Sequence, residues 1–507
     1  MPHIWYFHLA TIFITYFRFR VLVSRLNPKF NCPSEKTVRT KLVPDTFKKI
    51  KAHVQTVTET YVTDHASLTT DIWSSCSHDS YISLTLHYLT ENFEQKMSVL
   101  ACMPFNEEHD AENVLQKLEE KLQEFSPLEE KIHLFVRDNA SNMVAALNLS
   151  SYNHIGCFLH MLQLIVVHSV FMQPGVAGML KKAKKLVKFF NKSNTATRIL
   201  HRCQRELGLT ELELIKSCKT RWSSYHDMCK RLLAVKSAII RAETEMNVSY
   251  SSLTNHDWGM MVKVADYLKP FADLTNMASA EHACVAEVIP YVKLLFFKLE
   301  KLPRRGVCRL RQELIAETTR YFRGGDTRDH FPDIESKEEF SLATLLDPRF
   351  KKSGFSSASK AEAATEKLLL AAEEVEVNQS AVAASTAPPV VDVDDDWNAC
   401  MNIPSEQSND NESGPSNCTV EIEEYLAEKN LGRTDSPFSY WAGNKKRYPR
   451  LAALARKYLS APMASIASER EFKIAKQVTN NRGTLKPSNV EVLLFLKYNL
   501  RMLNYQY

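Results

Sequence analysis

Two aspartates stand where a chain could hold divalent metal. Asp71 follows Thr69 and Thr70 in SLTTDIWSS, a run with β-type alternation, and Asp138 closes KIHLFVRDN just before Asn139. Carboxylates delivered to one sheet edge by neighbouring strands are hard oxygen ligands, suited to Mg²⁺ or Mn²⁺. Two such ions held about 4 Å apart can act together on a phosphodiester. An Asp at a strand end also caps a turn or the next helix, so each residue taken alone keeps both readings. A third carboxylate, Glu469 beside Arg470 in SIASEREFKIAKQV, opens a helical pattern hundreds of residues later. It could complete an acidic cluster, or sit at the positive end of its own helix with Ser465 or Ser468 as the cap.

The elements that must position these acids follow from periodicity. SLTTDIWSS, DSYISLTLHYLT and EQKMSVLACMPF read as three strands of an antiparallel meander. HDAENVLQKLEEKLQEF then repeats apolar residues at helical spacing, KIHLFVRDN returns as a buried strand, and a helix starts near Ala140. The predicted order is β-β-β-α-β-α, which buries its apolar runs most simply as a mixed sheet with helices packed on it. From Gly156 to about Leu346 nearly every segment is helical. CFLHMLQLIVVHSVF is apolar on most sides, whereas GMLKKAKKLVKFF sets lysines beside an apolar stripe. Residues 353–420 are small, acidic and proline-containing beyond a short helical stretch, a composition that cannot offset chain entropy by burial. Short amphipathic helices close the chain.

Length and composition set outer bounds. At 507 residues the chain exceeds one ordinary core, and 44% hydrophobic with 24% charged residues suits a soluble, folded protein. A net charge of +5 would serve a nucleic-acid partner only where basic residues gather on one face. Eleven cysteines without a CxxC pair read as reduced thiols, and they exclude a zinc finger, which needs two close ligands. The opening MPHIWYFHLATIFITYF ends at Arg18 and Arg20, short of the roughly 20 apolar residues that cross a bilayer. We read it as a buried element or a non-native start, and expect no membrane partner.

Basic and aromatic residues offer a second chemistry. Lys184 and Lys185 in the first lysine run, with Lys445, Lys446 and Arg447 in NKKRYPR, could follow a DNA backbone, or could be ordinary solvated helix faces. Trp222, next to Arg221, could stack on an unpaired base or plug a helical core. His160 lies on the apolar helix and carries the same ambiguity. Asp347 in LLDPRF reads as a helix stop, and Trp441 and Tyr448 as anchors of their loop.

The pieces TTDIWSS, FVRDNASNM, Cys157 with His160 in CFLHMLQL, RWSS at Arg221–Ser224, LLDPRFK and YPRLAALARKYLSAPMASIASEREF occur in one order. Together they resemble the hAT superfamily of DNA transposases, most closely its domesticated zinc-finger-BED relatives. The resemblance implies an α/β RNase-H-like mixed sheet interrupted by a large all-helical insertion, with a C-terminal helical dimerisation segment. On that plan, 1–21 is unassigned, 22–64 a helical N-terminal segment and 65–150 the first part of the RNase-H-like domain. Residues 151–352 hold the insertion, 353–420 an acidic linker, and 421–503 the domain's completion with the dimerisation region. It further implies that Asp71, Asp138 and Glu469 form a DDE triad binding two Mg²⁺ or Mn²⁺ ions, that Trp222 stabilises flipped bases, and that His160 lies near the active site.

Two departures temper the resemblance. No BED finger precedes Leu22, and the S-E-R motif runs on as EFKIAKQ, placing Lys473 and Lys476 where Ser and Gly are usual. The expectation is therefore a transposase-derived nuclear protein that dimerises and binds double-stranded DNA, with chromatin or transcription proteins as further partners. The alternatives are an active two-metal DNA transposase or nuclease, and a protein-interaction module without DNA contact.

Overall fold

The alternating run around Asp71 forms strand β1 (Ala66–Ser74), which pairs antiparallel with β2 (Ser80–Leu89) and parallel with β4 (Ile132–Arg137). β3 (Gln95–Pro104) adds antiparallel to β2, and β5 (His154–Gly156) adds parallel to β4. The sheet therefore runs β3-β2-β1-β4-β5. β1 is central, and its first five residues are buried whichever face they point to, as a strand covered on both sides requires. The computed structural model describes residues 21, 24–29, 31–60, 62, 65–74, 79–218, 221–247, 253–280, 282–302, 308–324, 333–375, 397, 417–466 and 486–500. The apolar stretch 1–20 lies outside them.

The expected strand and helix order is present. α1 (Val43–Thr60) precedes the sheet, α2 (Ala111–Gln123) lies between β3 and β4, and α3 (Ser141–Asn148) follows β4. β5 is an addition, since three residues are too few to show alternation. α2 starts where the Asp110 carboxylate accepts the Asn113 amide at 2.8 Å, and it turns Val114, Leu118 and Leu122 inward at helical spacing. These residues join Ile50, Val54 and Val57 of α1 and Met143, Ala146 and Leu147 of α3 on one face of the sheet.

The chain divides into two compact units. One comprises Met1–Gly156 with Ser460–Tyr507, the other Cys157–Leu459. A mixed-sheet unit is thus interrupted by a helical one, as the resemblance implies. The second unit contains α4 (Phe158–Val166), α5 (Pro174–Lys192), α6 (Asn194–Glu206), α7 (Trp222–Ala234), α8 (Lys236–Glu245) and α9 (Asn255–Ala278). It continues through α10 (Val288–Lys301), α11 (Cys308–Phe322), α12 (Glu338–Leu346), α13 (Ala358–Glu373), α14 (Asn417–Ala427), α15 (Pro437–Asn444) and α16 (Pro449–Tyr458).

Two boundaries differ from the sequence reading. Residues 353–375, expected to open the linker with a short helical stretch, hold that helix as α13, but Ala361, Ala364, Leu368 and Ala372 form a buried stripe that makes it part of the folded unit. Residues 421–503, expected as one region, are shared between the units. α14, α15 and α16 stay with the helical unit because their aromatics are bound to α12. Trp441 is fully buried and donates its indole N–H to the Leu346 carbonyl at 2.8 Å, and the Tyr425 hydroxyl donates to the Leu345 carbonyl at 2.9 Å. Tyr440, Tyr448 and Arg447 converge on the Glu428 carboxylate. Asp347, expected as a helix stop, ends α12 and is wholly buried, holding the Arg349 guanidinium at 2.9 and 2.7 Å.

From Ser460 onward the chain rejoins the sheet. α17 (Pro487–Asn499) wraps the edge strand β3, with Phe495 and Leu496 in the main core and Val490 and Leu494 packed with Trp73, Tyr81 and Cys102. Its last residue, Asn499, behaves as an extra peptide group. The side-chain amide donates to the Val99 carbonyl at 2.7 Å and its oxygen accepts the Val99 N–H at 3.1 Å. Leu100, the next residue of β3, is the bulge at which the β2–β3 register shifts. An edge strand otherwise presents unpaired backbone groups. Replacing Asn499 by Leu strands both Val99 groups in a buried site. We expect about 2–3 kcal/mol of destabilisation in chemical denaturation and faster amide exchange at Val99, while S488A on the exposed side of α17 leaves both unchanged.

Candidate functional site

Strand alternation places Ser67, Thr69, Asp71 and Trp73 on the face of β1 opposite Leu68 and Ile72. β1 and β4 pair in parallel through Thr70 and Arg137. Asp71 is the next residue of β1 after that pair and Asp138 the first residue past the end of β4. Two of the three expected acids therefore lie on neighbouring parallel segments, Asp71 within β1 and Asp138 just beyond β4. Glu469 lies outside the described residues, as do Lys473 and Lys476. Among the described residues no group of three His, Cys, Asp or Glu is disposed to hold a metal ion.

Local hydrogen bonds aim the two acids. The Asp71 carboxylate accepts the Ile72 amide at 2.8 Å, and the Asp138 carboxylate accepts the Ala140 amide at 3.2 Å, which turns the chain into α3. Arg137 stabilises this turn from below. Its guanidinium donates to the Asp138 carbonyl at 3.0 Å and to Asn139 Oδ1 at 2.7 Å, and lies 3.3 Å from His154 Nδ1 on β5. His154 Nε2 is 3.0 Å from Asn148 Oδ1. Gly156 leaves room for this arrangement: a Cβ there would come within 2.2 Å of Asn139 Oδ1. Arg137, Asn139, His154 and Gly156 are positioning residues the sequence reading assigned no role. The R-D-N triplet was their only signal.

Two described segments of the C-terminal chain lie on the Asp71 face of β1. Ser460 Oγ lies 2.9 Å from Ser67 Oγ, one anchor, and Val490 and Leu494 pack against Trp73 and Tyr81, the other. Ser67 and Trp73 bracket Asp71 along β1, about 13 Å and 7 Å away along the strand. Ser67, Thr69 and Trp73 on that face are buried. Trp73 stacks on Tyr81 with centroids 4.8 Å apart, and Thr69 Oγ1 is 3.2 Å from the imidazole of His87, whose pKa burial pushes down to about 4. The donor set of two carboxylates fits a hard divalent cation in chemistry.

Residues expected to touch nucleic acid fare unevenly. Trp222 is 3% exposed, edge-on to Phe271 with centroids 6.3 Å apart, and its backbone N–H donates to Gln163 Oε1 at 2.7 Å. It plugs the helical core and offers no face to a base, which corrects the stacking role. Arg221, the residue before α7, is exposed, and His160 is half-buried on α4. Lys184 turns inward, donating to the Tyr225 hydroxyl at 2.6 Å and lying 4.4 Å from that ring's centroid. Lys185 is exposed, and Lys181, Lys188 and Lys192 are exposed with it at spacings that align them along one stripe of α5, about 16 Å long. Arg447 is engaged by Glu428 at 2.5 Å and Glu424 at 3.5 Å, Lys445 is half-buried, and Lys446 is exposed. No single helix among the described residues is long and apolar enough to cross a membrane.

Three family profiles match the chain. Residues 69–155 match the ZBED1 RNase-like domain, 155–267 the ZBED1 RNase-like helical domain, and 421–500 the hAT family C-terminal dimerisation region. Among whole proteins, zinc finger BED domain-containing protein 6 of Mus musculus is 27% identical over 95% of this chain and 52% of its own length. Zinc finger BED domain-containing protein 4 of Homo sapiens is 27% identical over 96% of this chain and 42% of its own length. A putative AC transposase of Zea mays is 24% identical over 94% of this chain and 61% of its own length. The chain spans about half the length of the curated relatives it matches.

The crowding at Gly156 can be tested directly. G156A should displace Asn139, break its bond to Arg137 and destabilise the sheet unit by about 1–3 kcal/mol in urea unfolding. G178A in α5, where a Cβ meets nothing within 4 Å, should be neutral or slightly stabilising.

Proposed function

We propose that this hAT-derived, ZBED-like chain is a nuclear protein that binds double-stranded DNA as a homodimer and acts as a domesticated regulator. The observation that carries this reading is the dimerisation-region match over 421–500. That segment contributes both to the helical unit, through α14–α16, and to the sheet unit, through α17. A dimer would present two copies of the exposed Lys181, Lys185, Lys188 and Lys192 stripe, a surface suited to phosphate contact without base readout. Chromatin or transcription proteins are the natural further partners of such a regulator.

A second reading, DNA cleavage and joining, is favoured by one specific observation, the parallel pairing of β1 with β4 up to Thr70 and Arg137, the residues immediately before Asp71 and Asp138. Both acids would hold the metal, with Glu469 as the third ligand. Glu469 lies nine positions after Ser460, a span of at most about 30 Å extended, enough to travel from Ser67 to the acids. Bound Mg²⁺ or Mn²⁺ would supply Lewis acidity at a scissile phosphate. The chain's own part is to fix two carboxylates on neighbouring parallel segments, through the Ile72 and Ala140 amides and the Arg137 brace, and to keep the Trp73 side of that face buried.

Sedimentation over a hundredfold concentration range should show a monomer–dimer equilibrium. Duplex binding should fall at least tenfold in K181E/K185E/K188E and lose part of its salt dependence, while D71N binds as the parent does. A concentration-independent monomer, or unchanged binding by the triple variant, argues against this function.

For the second reading, Mn²⁺-dependent nicking of cognate terminal DNA should be lost in D71A, D138A and E469A alike. Nicking that survives in D71A would remove the two-acid site.

A further inference from the structure

Residues 376–416 contain eight carboxylates, no lysine or arginine, and one aromatic residue, Trp397. That aromatic is 7% exposed. Its indole meets the Tyr291 ring edge-on with centroids 6.1 Å apart and the Phe350 ring at 5.8 Å, while the Arg433 guanidinium lies 4.6 Å from the indole centroid. Two aromatic walls and a cationic side thus enclose a single tryptophan, a geometry in which cation–π attraction adds to apolar burial.

The walls are fixed by bonds that do not involve Trp397. The Tyr291 hydroxyl donates to Glu287 at 3.2 Å, Glu287 pairs with Arg349 at 3.1 Å, and Arg349 is held by the wholly buried Asp347. Phe350 donates its backbone N–H to the Asp347 carbonyl at 3.0 Å, and its own carbonyl accepts from Asn430 at 3.2 Å. Leu431 N–H donates to the Pro348 carbonyl at 2.9 Å, tying the Arg433 loop to the same turn. The slot is therefore preorganised, and its cation suits an aromatic carried by an acidic sequence. Asp394, Asp395 and Asp396 immediately precede Trp397.

We propose that the Tyr291/Phe350/Arg433 slot is a peptide-recognition pocket for an aromatic side chain flanked by carboxylates, and that its resident ligand is the chain's own Trp397, held as a releasable latch. Because the ligand is tethered, it competes with a free peptide at an effective concentration in the millimolar range. The proposal is independent of DNA and metal binding by either unit.

The test uses a fluorescein-labelled peptide of residues 390–399, VVDVDDDWNA, and fluorescence anisotropy with the full chain. The peptide should bind W397A at least tenfold more tightly than the parent, whose slot is already filled. Replacing the peptide's tryptophan by alanine, or adding R433E to W397A, should abolish that gain. Equal affinity for W397A and parent, or no binding to a W397A chain that melts as the parent does, would overturn the proposal. If W397A does not fold, limited proteolysis of R433E decides: cleavage within 376–416 should be faster than in the parent, and an unchanged rate refutes the latch.

Discussion

The sheet unit is closed by a side chain from the far end of the sequence. Asn499 pairs with both backbone groups of Val99, 400 residues earlier, and so completes the edge of β3. Each bond is an ordinary one, worth about 1 kcal/mol net, but leaving either group of Val99 buried and unmet would cost more than the bond contributes. This asymmetry, together with burial of Val490, Leu494, Phe495 and Leu496, draws the C-terminal helix back to the sheet after the whole helical unit has been threaded between. Loop closure opposes such a return only weakly, because its entropy grows with the logarithm of length.

That return gives the acid pair its setting. Ser67, Asp71 and Trp73 share one face of β1, and the C-terminal chain touches it on both sides of Asp71, at Ser460 and at Val490 with Leu494. The same face could have been left to solvent, in which case two carboxylates at neighbouring strand ends would simply be hydrated. As it is, both aspartates are half-buried, and the Trp73 cluster covers the β1 face two residues beyond Asp71. Arg137 reinforces the arrangement by bonding to the Asp138 carbonyl and the Asn139 side chain, so its charge braces the turn.

The helical unit is held by a different device, a buried ion-pair chain. Asp347, Arg349, Glu287 and Tyr291 form a continuous set in which burial raises the carboxyl of Glu287, opposed chiefly by Arg349. Such a set is costly to desolvate and strongly destabilising to break singly, so it favours one arrangement of the surrounding loops. The aromatic residues of α14 and α15 dock on the same turn, with Lys351 donating to the Tyr425 and Glu428 carbonyls at 2.5 and 2.8 Å. Burial pushes that lysine down to about 8.

The sequence by itself determined the strands around Asp71 and Asp138 and the helix between them, because periods of two and of 3.6 are written in local residue order, while the interruption of the sheet domain was implied by the family resemblance and not by periodicity. It left Trp222 between a base-stacking role and a core plug and offered Lys184 as a surface residue, and both face inward: a Trp or a Lys has the same letter whether it meets a base, a phosphate or Phe271 and Tyr225. Tertiary structure alone decided that α14–α16 stay with the helical unit, that α5 presents Lys181, Lys185, Lys188 and Lys192 together, and that Trp397 is enclosed. The physical reason is the same in each case: burial and pairing depend on groups brought together from distant positions, and no local pattern records which ones will meet.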